Sequence, residues 1–198
     1  MANPNVGMMY PVFAPLVSHT DGSMPTYGTG RVIQEARNAT ITKTYNDNPL
    51  YGDDRIVDDD NGLQSLTMTF ESTGLSDADR VALFGETQAT VGGLTAYLEG
   101  DNETPWGGFG YIRKMRLNGT KKFEAWIALK IKFQEESQAT STKEGSISWN
   151  TPTLNGRAAG LYIDSSDQIS WRVHHTFDTI AAAKSWINTV LNVSATTT

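Results

Sequence analysis

Polarity along the chain alternates more often than it cycles. In residues 63–71 (LQSLTMTFE), Leu66, Met68 and Phe70 fall on one side while Thr67, Thr69 and Glu71 fall on the other. That period of two marks a half-buried strand. The longest such pattern is FGYIRKMRL, then Asn118-Gly119, then KKFEAWIALKIKF. Asn-Gly between two alternating runs favours a type I′ hairpin, because both central residues need positive φ. With Leu117 opposite Thr120, Arg113 stands opposite Glu124 and Tyr111 opposite Trp126, both favourable cross-strand pairs. Along the second strand Phe123, Ala125, Ile127, Leu129, Ile131 and Phe133 share one face, and Trp126, Lys130 and Lys132 share the other.

Residues 31–45 read as mostly strand, with Ala39, Ile41, Lys43 and Tyr45 on one side. Pro4, Pro11, Pro15 and Pro25 divide the N-terminal stretch into short extended pieces, and Val12, Phe13, Leu16 and Val17 form an early strand. Residues 18–30 read as turn and loop. Shorter strands follow at 91–98, at Ile147 and Trp149, at 161–163 and at 169–173.

Only two segments have helical character. Gly74 marks a turn, Ser76 is the N-cap and Asp79 sits at N3, a capping box with Asp in place of Glu. Val81, Ala82 and Phe84 supply the apolar face, and Gly85 ends the helix. From Asp178 on, Ile180, Ala183, Ile187, Val190 and Leu191 fit the face of a C-terminal helix of about three turns. The fold class is therefore mainly β: a β-sandwich or partly open barrel with one short flanking helix and a C-terminal helix. Residues 1–160 form the core, with an extended acidic arm at about 45–63. Residues 161–198 continue the same domain with strand and helix.

That arm is the oddest segment. Six Asp lie between Asp47 and Asp60, among Asn, Gly and Pro, with Arg55 the only base. It holds little core-forming material and reads as a long loop or an exposed hairpin. Composition narrows the function. The chain has 198 residues, a formal charge of −6, 24 Thr and no Cys. Disulfides and Cys-ligated metal sites are excluded. No apolar run approaches a membrane span, and the start, Met1-Ala2-Asn3-Pro4-Asn5, has no basic region before an apolar one, so it is not a secretory signal. The charge does not suit a general nucleic-acid binder, whose affinity comes from Lys and Arg on phosphates.

Candidate chemistry adds little. Placing Gly62 at the sixth position of an EF-hand puts Val57 first and Met68 twelfth, so the calcium pattern fails. Asp53, Asp54, Asp58, Asp59 and Asp60 fit a solvated or interface-forming arm better than an irregular calcium site. His174 and His175 are adjacent and face opposite ways on a strand. No G-x-S-x-G elbow is present, and 107–110 (GGFG) reads as a turn entering the strand at Phe109. No nucleophile, base and orienting group come together, so no enzyme, cofactor or metal is expected. Arg113, Lys114, Arg116, Lys121 and Lys122 make a basic hairpin tip, complementary in charge to the acidic arm. A protein that stacks on copies of itself can use such a pair for register.

The order of these motifs carries a resemblance. Leu50-Tyr51-Gly52-Asp53-Asp54 precedes the Leu66/Met68/Phe70 strand, then a short helix ending Ala82-Leu83-Phe84-Gly85. Phe109-Gly110-Tyr111-Ile112-Arg113-Lys114 and the Phe123-x-x-Trp126 strand follow, running to Lys130-Ile131-Lys132-Phe133. Thr140, Ile147-Ser148-Trp149 and Thr151-Pro152-Thr153-Leu154-Asn155-Gly156 complete it. Over roughly residues 28–160 this order resembles the major tail tube proteins of long-tailed, non-contractile bacteriophages (siphoviruses). The resemblance implies a virion structural protein, assembled in the host cytoplasm, with a β-sandwich-like core. It implies hexameric rings stacked into a tube around a tape-measure protein and met by terminator and baseplate proteins. Double-stranded DNA would pass through a generally acidic lumen without specific binding, and no membrane is involved. The inter-subunit arm would hold Tyr51, Asp53, Asp54, Arg55, Asp58, Asp59 and Asp60. The central sheet hairpin would hold Tyr111, Arg113, Asn118, Gly119, Glu124 and Trp126. The dense acidity of Asp58-Asp59-Asp60 and the helix-bearing segment after about 160 depart from the family pattern. The alternatives are a tail-completion or baseplate protein that makes one ring, and a carbohydrate-binding β-sandwich using Trp106, Trp126 or Trp149.

Overall fold

The computed structural model describes residues 5–33, 36–59, 62–117, 119–137, 151–164 and 168–194. Asp60, Asn118 and the expected strand at Ile147 and Trp149 lie outside them. The chain runs β1 (Asn5–Ser18), β2 (Thr26–Tyr27), β3 (Arg31–Val32), β4 (Ala36–Tyr45), β5 (Pro49–Gly52), β6 (Arg55–Asp59) and β7 (Leu63–Ser72). Then follow α1 (Asp77–Phe84), β8 (Thr87–Val91), β9 (Leu94–Leu98), β10 (Gly107–Leu117) and β11 (Thr120–Ser137). The last elements are β12 (Thr153–Ala158), β13 (Leu161–Tyr162), β14 (Ile169–Ser170), β15 (Arg172–Phe177) and α2 (Ile180–Val190). The fold is mainly β, as the alternation predicts.

One large antiparallel sheet has the order β2-β1-β10-β11-β12-β7-β4, with β3 beside β1 and β15 beside β11. The β10–β11 register is the expected one: Leu117 pairs with Thr120, Arg113 with Glu124 and Tyr111 with Trp126. Gly119 has φ +80° at the turn. Strand β7 buries Leu66, Met68 and Phe70, as its alternation requires.

Strand β11 departs from its predicted face. Phe109 pairs with Ala128 but Gly107 pairs with Ile131, so β11 carries one extra residue at Leu129-Lys130. A bulge of this kind reverses which parity of residue faces which side. Ala125 and Ile127 accordingly enter one apolar cluster, while Ile131 and Phe133 enter another. Three of the backbone groups at the bulge find partners outside the β10 ladder. The Tyr27 hydroxyl donates to Leu129 O at 2.7 Å. Leu129 N–H donates to Trp171 O at 3.1 Å, and Ala159 N–H donates to Lys130 O at 2.8 Å. Buried backbone groups need such partners. Burial drives the Tyr27 phenol far above its ordinary range, which keeps it a donor.

The first cluster gathers Phe13, Leu66, Phe70, Phe109, Phe133 and Leu154 with Leu83 of α1. Phe109 packs edge-on against Phe133 at 5.0 Å and Phe70 at 5.3 Å between ring centroids, an arrangement aromatic pairs prefer. The second cluster gathers Val12, Ala14, Ile112, Ala125 and Ile127 under Ala183 and Ile187 of α2 and its C-cap Leu191. Phe109 and Ile112 belong to different clusters, so the two lie on opposite faces of β10.

Helix α1 forms with the expected caps: Ser76 at the N-terminus with the reciprocal Asp79 bonds, and Gly85 at φ +73° at the end. Its most buried apolar residue is Leu83 rather than Val81, Ala82 or Phe84. Asp79 is buried as well, because it both caps the helix and pairs with Arg31 Nε at 2.8 Å.

Two more expectations are corrected. The prolines do not break β1 into pieces. It is one long strand that absorbs irregularity in two bulges, with Gly7 at φ +73° and Tyr10 at φ +56°. Residues 107–110 are not a turn but the start of β10. A Cβ on Gly108 would meet Leu191 and Tyr27 side-chain atoms at 2.6 Å, and one on Gly110 would meet Ile187 at 3.0 Å. These glycines are what let α2 lie against the sheet.

Candidate assembly surfaces

The acidic segment is a hairpin. Among the described residues, strands β5 and β6 pair with each other and with no other strand. Its tip is Asp53-Asp54, with φ +48° and +61°. Two central residues at positive φ make the turn twist with its strands, and Asp is among the few side chains that tolerate that region. Asn46 N–H donates to Gly62 O at 2.8 Å and closes the root. Tyr51 faces Ile56, and Leu50 faces Asp58. Leu50, Tyr51, Ile56 and Val57 are all exposed, Tyr51 to 67%. A lone two-stranded hairpin is marginal in water, and clustered exposed apolar groups mark interaction sites. Arg55 opens β6 beside the tip, and Asp59 closes it.

A second free hairpin, β8–β9, replaces the single strand expected at 91–98. Gly92 and Gly93, at φ +61° and +82°, form its turn. Val91, Leu94 and Leu98 are exposed, Leu94 to 74%. No charged residue lies between Thr87 and Leu98.

The central hairpin is built differently. The Arg113 guanidinium donates to the Glu124 carboxylate at 2.6 Å. Arg113 and Arg172 lie over the Trp126 ring at 5.0 and 4.4 Å, and His174 stacks on it at 4.2 Å. Burial pushes the Glu124 carboxyl up, but the neighbouring Trp126 and Arg113 outweigh it and hold it below its ordinary value. Burial raises the Tyr111 phenol, with Arg172 and Arg113 opposing. At the basic tip Lys122 pairs with Asp178, while Lys114, Arg116 and Lys121 are exposed. His174 and His175 do point apart: His175 packs against Phe177 at 4.7 Å. Among the described residues no group of three His, Asp or Glu is placed to hold a metal ion. No helix among them is long and apolar enough to cross a membrane.

Sequence reasoning misses one surface. A groove of about 570 Å³ opens beside the root of the arm, lined by Gln64, Trp106, Lys132, Arg157, Ile169 and Trp171 among others. Lys130 and Lys132 hold their ammonium groups 5.1 and 4.8 Å from the Trp106 ring, a favourable cation–π distance. No carboxylate is among the described residues that line it. The alternation of Lys130 and Lys132 is visible in sequence, but their meeting with Trp106 and Trp171 depends on three separated segments.

The structure thus places Tyr51, Asp53, Asp54, Arg55 and Asp58 together on the arm. It places Tyr111, Arg113, Glu124 and Trp126 together on the central hairpin. No protein-family model and no curated protein matches the chain.

Proposed function

We propose that this protein is a structural subunit of a bacteriophage tail tube, assembling into hexameric rings that stack into a conduit for double-stranded DNA. The observation that carries the proposal is the β5–β6 arm, which stands apart from the large sheet with four apolar side chains exposed beside an acidic tip. Such a hairpin gains stability when another surface covers it. The resemblance of the motif order to siphovirus major tail proteins names what that surface belongs to, a second copy. Catalysis has no part in this reading. The tape-measure, terminator and baseplate proteins are its expected partners, and the virion tail its location.

The glycan-binding alternative draws less support. Sugar rings stack on free indole faces, but cations lie over Trp106, and Trp126 carries two guanidinium groups and a stacked imidazole. Trp149 lies outside the described residues. A net charge of −6 suits a wall that repels the phosphate backbone rather than one that holds it. Electron microscopy of the purified protein tests the proposal. Long hollow tubes are expected; isolated rings would favour the tail-completion or baseplate reading, and a permanent monomer would end both.

A further inference from the structure

Two basic surfaces on this molecule are candidates to receive the acidic arm of another copy. One is the tip of the β10–β11 hairpin, with Lys114, Arg116 and Lys121. The other is the groove between Trp106 and Trp171. The arm presents both charge and apolar area: Asp53 and Asp54 at the turn, Tyr51 and Ile56 behind them. The hairpin tip answers the charge alone. The groove answers both, with Lys132 and Arg157 beside two indoles and with Ile169 left 51% exposed.

We propose that the arm tip of one copy seats in the Trp106–Trp171 groove of the next, its Asp53 and Asp54 against Lys132 and Arg157 and its Tyr51 against Ile169 and Trp171. This rests on the reading of the arm as an assembly element and names the surface that takes it. A chain does not fill its own groove, since its own arm side chains remain exposed. Plug and socket are also neighbours on one molecule, because Gln64 and Ser65 in the groove directly follow the arm's root. Each seated arm therefore leaves a fresh arm beside it, the condition for a head-to-tail contact that repeats until symmetry closes it. Cation–π contact with Trp106 holds the ammonium groups in place before docking, which lowers the ordering cost.

Reversing the charges tests the contact. The variants K132E/R157E and D53K/D54K should each cut assembled material about tenfold or more, the scale of losing one well-paired contact. Mixed together they should restore it, since each then offers what the other lacks. The tip variant K114E/R116E/K121E should assemble like wild type, and all three should keep the wild-type melting temperature. Because the chain has no Cys, D53C and Q64C variants mixed under mild oxidation supply a second readout, a disulfide-linked dimer. Normal tubes from K132E/R157E, with no cross-link, would overturn the contact and leave the tube standing. A D53C–Q64C cross-link, where the wild-type protein forms no tubes, would sink the tube and keep the contact. Loss of tubes in the tip variant alone would transfer the socket to the hairpin.

Discussion

The β5–β6 arm and the β10–β11 hairpin start from the same local chemistry and end in opposite environments. Each joins two antiparallel strands through two residues. The β10–β11 pair is covered by apolar clusters on both faces and flanked by β1, β12 and β15. Among the described residues no other strand pairs with the arm, and its apolar residues face solvent. Turn chemistry alone thus decides that a hairpin forms, while its neighbours decide whether it becomes scaffold or contact. Changes in the central hairpin should act on stability, and changes in the arm on association.

The largest stability effect should come from Gly108→Val. A Cβ there meets Leu191 and Tyr27 at 2.6 Å, and overpacking of a tight site costs about 1–3 kcal/mol or more. Urea unfolding reads this directly; a neutral result would mean α2 is not seated as described. Next is Tyr27→Phe, which strands the buried Leu129 carbonyl at the bulge. Leaving such a group unpaired costs about 1–3 kcal/mol, visible as a lower melting temperature. Glu124→Gln comes third and is best seen through pH. The folded Glu124 titrates below its ordinary value of 4.5. Its ion pair therefore stabilises fully above that value and loses its effect as pH falls through the lower folded one. The Gln variant should flatten that part of the stability profile; identical acid limbs would remove the ion pair from the account.

The smallest stability effect should be at the arm. Asp54→Gly relieves a left-handed backbone but adds chain entropy in the unfolded state. The net should stay within about 0.5 kcal/mol. If this substitution, or Tyr51→Ser, shifted the melting temperature as much as Tyr27→Phe, the arm would be part of the scaffold and the contrast would fail.

Local signals account for what the sequence makes legible. Strand β7, the β10–β11 register, the capping box of α1 and the apolar face of α2 each rest on residues within a few positions of one another. The arm is legible by its lack of core material, and its tip by acidic residues fit for positive φ. What escapes depends on distant segments. The bulge in β11 has no mark in its own stretch, because the groups that satisfy it come from Tyr27, Ala159 and Trp171. Leu83 is buried, rather than its neighbours, because of where α1 lands on the sheet. Gly92-Gly93 is a readable turn signal, but the expectation of one strand at 91–98 passes over it. The groove lies in five pieces of sequence that only the fold brings together.

The extra residue in β11 has a consequence for how the chain tolerates changes of length. Upstream of it, Ala125 and Ile127 belong under α2; downstream, Ile131 and Phe133 belong with Phe109. Removing any one residue between Ala128 and Ile131 would invert every side chain on one flank while leaving the other correct. No compensating slip exists, since β12 and β15 each hold their own half of the strand. Gaining or losing a pair of residues in the arm, by contrast, would only change its reach. The fold is thus free to vary in length at its exposed arm, and fixed to the single residue where its two halves meet each other.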